Sequence, residues 1–98
     1  MKRVWSPLAI ERVQEIADYI ALDSPRAAAS WIDAIFEKVG ILKSSPAIGR
    51  TVTEISRPDI RELIFGNYRI VYQLSEKQIA ILTVRNFKQI LPAKGTGL

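Results

Sequence analysis

Arg61-Glu62-Leu63-Ile64-Phe65-Gly66-Asn67-Tyr68-Arg69-Ile70-Val71-Tyr72 decides how the rest of the chain is read. Two runs rich in β-branched and aromatic residues are separated by two residues, Gly66 and Asn67. That spacing predicts a β-hairpin with a primed turn, because glycine at the first central position takes the positive φ that matches strand twist. A two-residue turn fixes the register: Phe65 lies opposite Tyr68, Leu63 opposite Ile70 and Arg61 opposite Tyr72. These six share one face, while Ile64 with Arg69, Glu62 with Val71 and Ile60 with Gln73 occupy the other. A third run, Gln78 to Phe87, follows a polar break at Ser75-Glu76-Lys77 and extends the hairpin into a meander. A tight turn at Glu76-Lys77 pairs Leu74 with Ile79, Tyr72 with Ile81 and Val71 with Leu82.

Upstream, Lys2-Arg3-Val4-Trp5 reads as a short strand. Ser6-Pro7 then starts a helix, since the Ser hydroxyl caps a free N–H and Pro at the first position has none to satisfy. Leu8, Ala9, Val13, Ile16, Ala17 and Ile20 fall on one face of a helix that should stop near Leu22. Ser24-Pro25 repeats the signal. Ala28, Trp31, Ile32, Ile35, Phe36, Val39 and Leu42 form one stripe, which predicts a second helix to about Lys43. So short a connection makes the two helices antiparallel neighbours. Gly40 inside the second marks either close packing or an early end. Residues 44–59 are read as an irregular connector or a basic binding loop, and the Gly-rich segment 89–98 as a mobile tail.

The fold class is therefore α+β: an antiparallel two-helix hairpin on one face of a small antiparallel sheet, in the order β-α-α-β-β-β. The 98 residues fit a single domain. Only one sheet face can meet the helices. The other, with Ile60, Ile64, Val71, Ala80, Leu82 and Val84 interrupted by Glu62 and Arg69, is expected to be an open apolar patch, and such patches mean a partner. Replacing Val71 and Leu82 by Ser or Thr should then improve solubility and weaken the complex.

Composition excludes several chemistries. Cysteine and histidine are both absent, which removes disulfides, thiolate metal sites, and the commonest metal ligand and general base. No Walker loop, dinucleotide fingerprint or nucleophile elbow is present, so no cofactor and no metal is implied. With no signal peptide and no apolar stretch of about 20 residues, the chain reads as cytoplasmic and independent of membranes. The net charge of +4 is uneven: residues 7–45 carry four basic and six acidic side chains, residues 46–98 eight and four. A basic sheet half suggests an acidic partner or solvated charge. Arg69 on the open face can recognise phosphate or carboxylate, or can pair with Glu62 across the strands. Arg61 can snorkel over the core edge, and Tyr68 and Tyr72 read as core aromatics with their hydroxyls at a wet rim.

The order strand, two Ser-Pro-started helices, Pro46-Ala47-Ile48-Gly49-Arg50, Arg61-Glu62-Leu63 and Tyr68-Arg69-Ile70-Val71-Tyr72 resembles the ParE/RelE superfamily of bacterial toxin–antitoxin toxins, over residues 2 to about 88. The resemblance implies a small toxin whose antitoxin wraps across it in a hetero-oligomer. RelE-like members cleave mRNA on the ribosome with a basic cluster and a late Tyr or His. On that pattern Arg69, Arg61 and Lys88 are the catalytic candidates. Arg-Glu-Leu before the hairpin is closer to the ParE branch, whose members poison DNA gyrase without catalysis. Target or antitoxin contacts are then expected at Arg50, Arg61, Ile64, Arg69, Val71, Leu82, Val84, Arg85 and Lys88. A toxin-derived binding module without activity is a third possibility.

Overall fold

A computed structural model describes residues 2–86. The mobile tail expected at 89–98, and Lys88 with it, lie outside the described residues. Ser6 caps the first helix as its sequence predicts: its Oγ accepts from the Ala9 N–H at 3.0 Å, with Pro7 at the first position of α1 (Pro7–Ala21). Ser24 does the same for Ala27 at 3.1 Å, opening α2 (Pro25–Gly40). The second helix stops short of Lys43. It tightens into a 3-10 turn over Ile41–Lys43, which still seats Leu42 in the core. A Cβ on Gly40 would meet nothing within 4 Å, so this glycine marks the helix end and no close approach.

The strands are β1 (Lys2–Trp5), β2 (Arg50–Thr51), β3 (Ile60–Phe65), β4 (Tyr68–Leu74) and β5 (Gln78–Asn86), in the sheet order β1-β5-β4-β3-β2. The β3–β4 hairpin has the register its turn dictates, Phe65 opposite Tyr68 through Ile60 opposite Gln73. Gly66 at its turn has φ +57° and no other residue there turns positive, the pattern of a type II′ turn. β1 lies parallel to β5, Lys2 against Gln78 through Trp5 against Ile81, so the sheet is mixed. The two-residue β2 emerges from the stretch read as irregular and pairs Arg50 with Glu62.

The second hairpin departs from expectation after three pairs. Leu74 meets Ile79 and Tyr72 meets Ile81, but Val71 then meets Thr83 and Ile70 meets Val84, with Leu82 left over as a bulge. Beyond Leu82 every side chain of β5 changes face. Val84, expected on the open face, is buried on the helix side with Ile70, Tyr72, Ile79, Ile81, Leu63 and the helix residues Ala9, Val13, Ile35 and Val39. Phe36 closes this core at its edge, its ring 4.8 Å from that of Trp5.

The far side of the sheet is not the open patch expected. The chain between β2 and β3 folds over it, so Val52 and Ile55 pack on Ile60, Val71 and Leu82 as a second, smaller core. Val71 is 1% exposed, which overturns its assignment to a free surface. What stays open is Ile64 and a cleft of about 500 Å³ lined by Ser6, Leu8, Ile55, Arg57, Ile60 and Leu82.

Candidate functional site

Side-chain alternation on the three long strands sets two rows across the face turned away from the helices. One row is Glu62, Val71 and Thr83; the other is Ile64, Arg69 and Arg85. The second row owes its last member to the bulge. Without the extra residue at Leu82, Arg85 would point to the helices, and with it Arg85 stands directly across from Arg69.

Arg69 binds two carboxylates. Its Nη1 donates to Glu54 Oε1 at 3.1 Å and lies 3.5 Å from Glu62 Oε1. Arg50, on the edge strand, donates through Nε to the other oxygen of Glu62, Oε2, at 2.8 Å. Glu62 is thus a buried carboxylate, 4% exposed, held between two guanidinium groups, whose charges offset the penalty of burying it. Its Oε1 has the ion-pair contact to Arg69 and, among the described residues, no hydrogen bond. The Glu54 carboxyl is held below its usual value by hydrogen bonding to its own backbone amide first and then to Arg69. Arg85 is buried, and that burial, with repulsion from Arg69 next, pulls it below the usual arginine range. Three arginines and two glutamates therefore share this end of the sheet face.

Arg61 does not join them. It lies on the helix side, level with Tyr72, and its Nη1 donates to the carbonyl of Gly49 at 2.8 Å and more weakly to that of Ala47 at 3.5 Å. Tyr72 works on the same segment. Its hydroxyl accepts from the Gly49 N–H and donates to the Pro46 carbonyl, both at 2.9 Å. That hydroxyl is buried, not at a wet rim, and burial pushes it above the ordinary tyrosine value. A Cβ on Gly49 would come within 2.5 Å of the Tyr72 hydroxyl and 2.9 Å of the Glu62 carbonyl, so only glycine fits. Pro46-Ala47-Ile48-Gly49-Arg50 is thus a latch: Tyr72 and Arg61 hold its carbonyls, and its last residue delivers Arg50 to Glu62.

The structure therefore brings together Arg50, Arg69 and Arg85 of the residues singled out by sequence, with exposed Ile64 beside them. It sets Arg61 on the opposite face and commits Val71 and Val84 to cores, with Leu82 half-buried beside Val71. Sequence reasoning missed Glu54, which sits in a connector with no periodicity to place it. It also missed Thr83, whose buried hydroxyl has no partner among the described residues.

The family model for the ParE toxin of type II toxin–antitoxin systems matches residues 3–91. The chain is 37% identical over 94 residues to the candidate toxin Y4kP of Sinorhizobium fredii (strain NBRC 101917 / NGR234), covering 93% of this chain and 94% of that one. Among solved structures it is similar to a chain of the chromosomal ParDE system from P. aeruginosa, with a TM-score of 0.75 and 24% identity over 90% of this chain and 97% of that one. A chain of the RelBE2 toxin–antitoxin complex from Mycobacterium tuberculosis matches with a TM-score of 0.59 and 18% identity, over 87% and 95% of the two chains. At those identities the two structures speak for the fold.

Proposed function

Because the chain belongs to the ParE toxin family of type II toxin–antitoxin systems, we propose that it acts in the cytoplasm as a non-catalytic poison of DNA gyrase, neutralised by a cognate antitoxin. One observation carries the choice against RNA cleavage: Arg61 and Arg69, two of the three residues a RelE-like nuclease would use, lie on opposite faces of the sheet. Cleavage through a 2′-hydroxyl needs a base, an acid and charge stabilisation converging on one phosphate. The chain has no histidine, the Tyr72 hydroxyl is spent on the 46–49 latch, and Glu54, its pKa lowered and its carboxylate bonded to Arg69, is a weak base. A toxin that works by occupancy needs none of these groups. No helix among the described residues is long and apolar enough to cross a membrane.

Induction without antitoxin tests the reading. Expected are filamentous cells, a DNA-damage response and accumulated gyrase cleavage complexes while bulk translation continues. Codon-phased cuts in cellular transcripts, or translation arrest within minutes over intact DNA, would replace gyrase by the ribosome as target.

A further inference from the structure

Arg85 is a largely buried arginine with no ion pair of its own among the described residues. It is 7% exposed, and its side chain makes no hydrogen bond to them; the carboxylates that act on it electrostatically, Glu54 and Glu62, are taken by Arg50 and Arg69. Its neighbour directly across the strands is Arg69, and like charges in that position repel. Removing even part of a guanidinium from water with nothing in exchange is unfavourable.

Residues 87–98 carry no acidic side chain, since all ten Asp and Glu lie between Glu11 and Glu76. Within the cluster, Arg50, Arg69 and Arg85 set three positive charges against the two negative ones of Glu54 and Glu62, which leaves one positive charge. Two residues before Arg85 on the same face, the Thr83 hydroxyl is buried with no partner among the described residues. A largely buried arginine and an idle hydroxyl donor therefore flank a cluster whose named side chains carry one positive charge in excess.

We infer that Arg85, with Arg69 and the Thr83 hydroxyl, is a receptor for a single carboxylate, supplied by an acidic side chain of the antitoxin. Only the identity of the partner rests on the function proposed above. The chemistry favours a carboxylate on a polypeptide. One negative charge balances the cluster, and two coplanar oxygens match a guanidinium fork. Ile64, opposite Arg69 and 39% exposed, offers an apolar shoulder on which a peptide can lie. A nucleic acid fits poorly, because its affinity comes from several neutralised phosphates and two glutamates on this face would repel the rest of the backbone.

The first arm of the test uses acetate, inorganic phosphate and chloride at matched ionic strength on the isolated chain. Acetate is expected to raise Tm over chloride, and Arg85→Met to abolish that increment while melting above wild type in chloride, since the uncompensated charge is gone. No acetate increment, or one that survives Arg85→Met, overturns the receptor. An increment from phosphate alone also overturns it and points to nucleic acid. The second arm measures binding of the antitoxin from the adjacent reading frame. Arg85→Met should weaken the complex tenfold or more. One Asp→Asn or Glu→Gln change in the antitoxin should do the same, and the two together should cost no more than either. Arg85→Lys, which keeps the charge and loses the fork, should fall between. A complex indifferent to Arg85→Met sinks the inference and leaves the toxin–antitoxin reading standing. A positive acetate arm with no complex even for wild type does the reverse.

Discussion

Against the helices the sheet presents Leu63, Ile70, Tyr72, Ile79, Ile81 and Val84, all buried and, but for one bonded hydroxyl, apolar. Against the chain between β2 and β3 the same strands present Ile60, Val71 and Leu82, and beside them Glu62, Arg69, Thr83 and Arg85. The first face is covered by two capped helices. The second is covered by an irregular segment over half its length, and its other half is charged. Apolar burial is non-directional and tolerant, whereas a buried ion needs a specific partner. The helix side therefore secures the fold, and the far side is where a binding partner can change the energetics.

The sharpest way to break this contrast is to cut a cavity on each side. Ile81→Ala removes a side chain at 0% exposure and is expected to cost about 3 kcal/mol in urea unfolding. Tyr72→Phe comes next, at about 2 kcal/mol, because it leaves the Gly49 N–H and the Pro46 carbonyl without their partner. Faster amide exchange at Gly49 should accompany it, and an unchanged exchange rate would dismiss the latch. Val71→Ala on the smaller core should cost about 1.5 kcal/mol. Equal losses per carbon removed at Ile81 and Val71 would show that the two sides are one core. Val71→Ser should destabilise the chain further, not improve its solubility.

The smallest effect concerns the charged half. Glu54 has a folded pKa below its unfolded value, so its contribution is fully present above the ordinary value of 4.5 and is lost as pH falls through the folded pKa. With Glu54 side-chain exposure at 38%, solvent screening limits that contribution to less than about 1 kcal/mol. Glu54→Gln should flatten this part of the acid limb of a stability–pH profile. A steepened limb would mean that Glu54 is strained by its surroundings.

Sequence patterning carries a long way here. Ser6-Pro7 and Ser24-Pro25 announce both helices by a cap and a missing donor, and Gly66-Asn67 sets six strand pairs in one step. The bulge at Leu82 was not legible, for a physical reason. Ala80-Ile81-Leu82-Thr83-Val84 is apolar to either side, so alternation gives no phase, and no glycine marks the extra residue. The phase is decided by tertiary fit, with Leu82 joining Val71 and Val84 joining Ile70. Everything downstream followed from that one slip, including the side to which Arg85 points. Val52 and Ile55 stayed hidden because two isolated apolar residues in a polar connector have no period. Family resemblance pointed to Arg69 and Arg61 alike, and only the alternation of the hairpin distinguishes their faces.

The parallel pairing of β1 with β5 has a kinetic consequence. The two helices form from neighbours in sequence, as does the β3–β4 hairpin, and each can assemble early with little loss of chain entropy. β1 must instead close across the whole domain: Ser6, at its end, donates through Oγ to the Leu82 carbonyl 76 residues away. Closing such a loop brings its entropic cost before its contacts return any reward, and topologies rich in distant pairings fold slowly for that reason. Docking of residues 2–6 is thus expected to be the last step of assembly and the first to reverse. Until it happens, β5, the longest strand of the sheet, presents a bare edge, and a nascent toxin in that state is open to strand pairing with other chains.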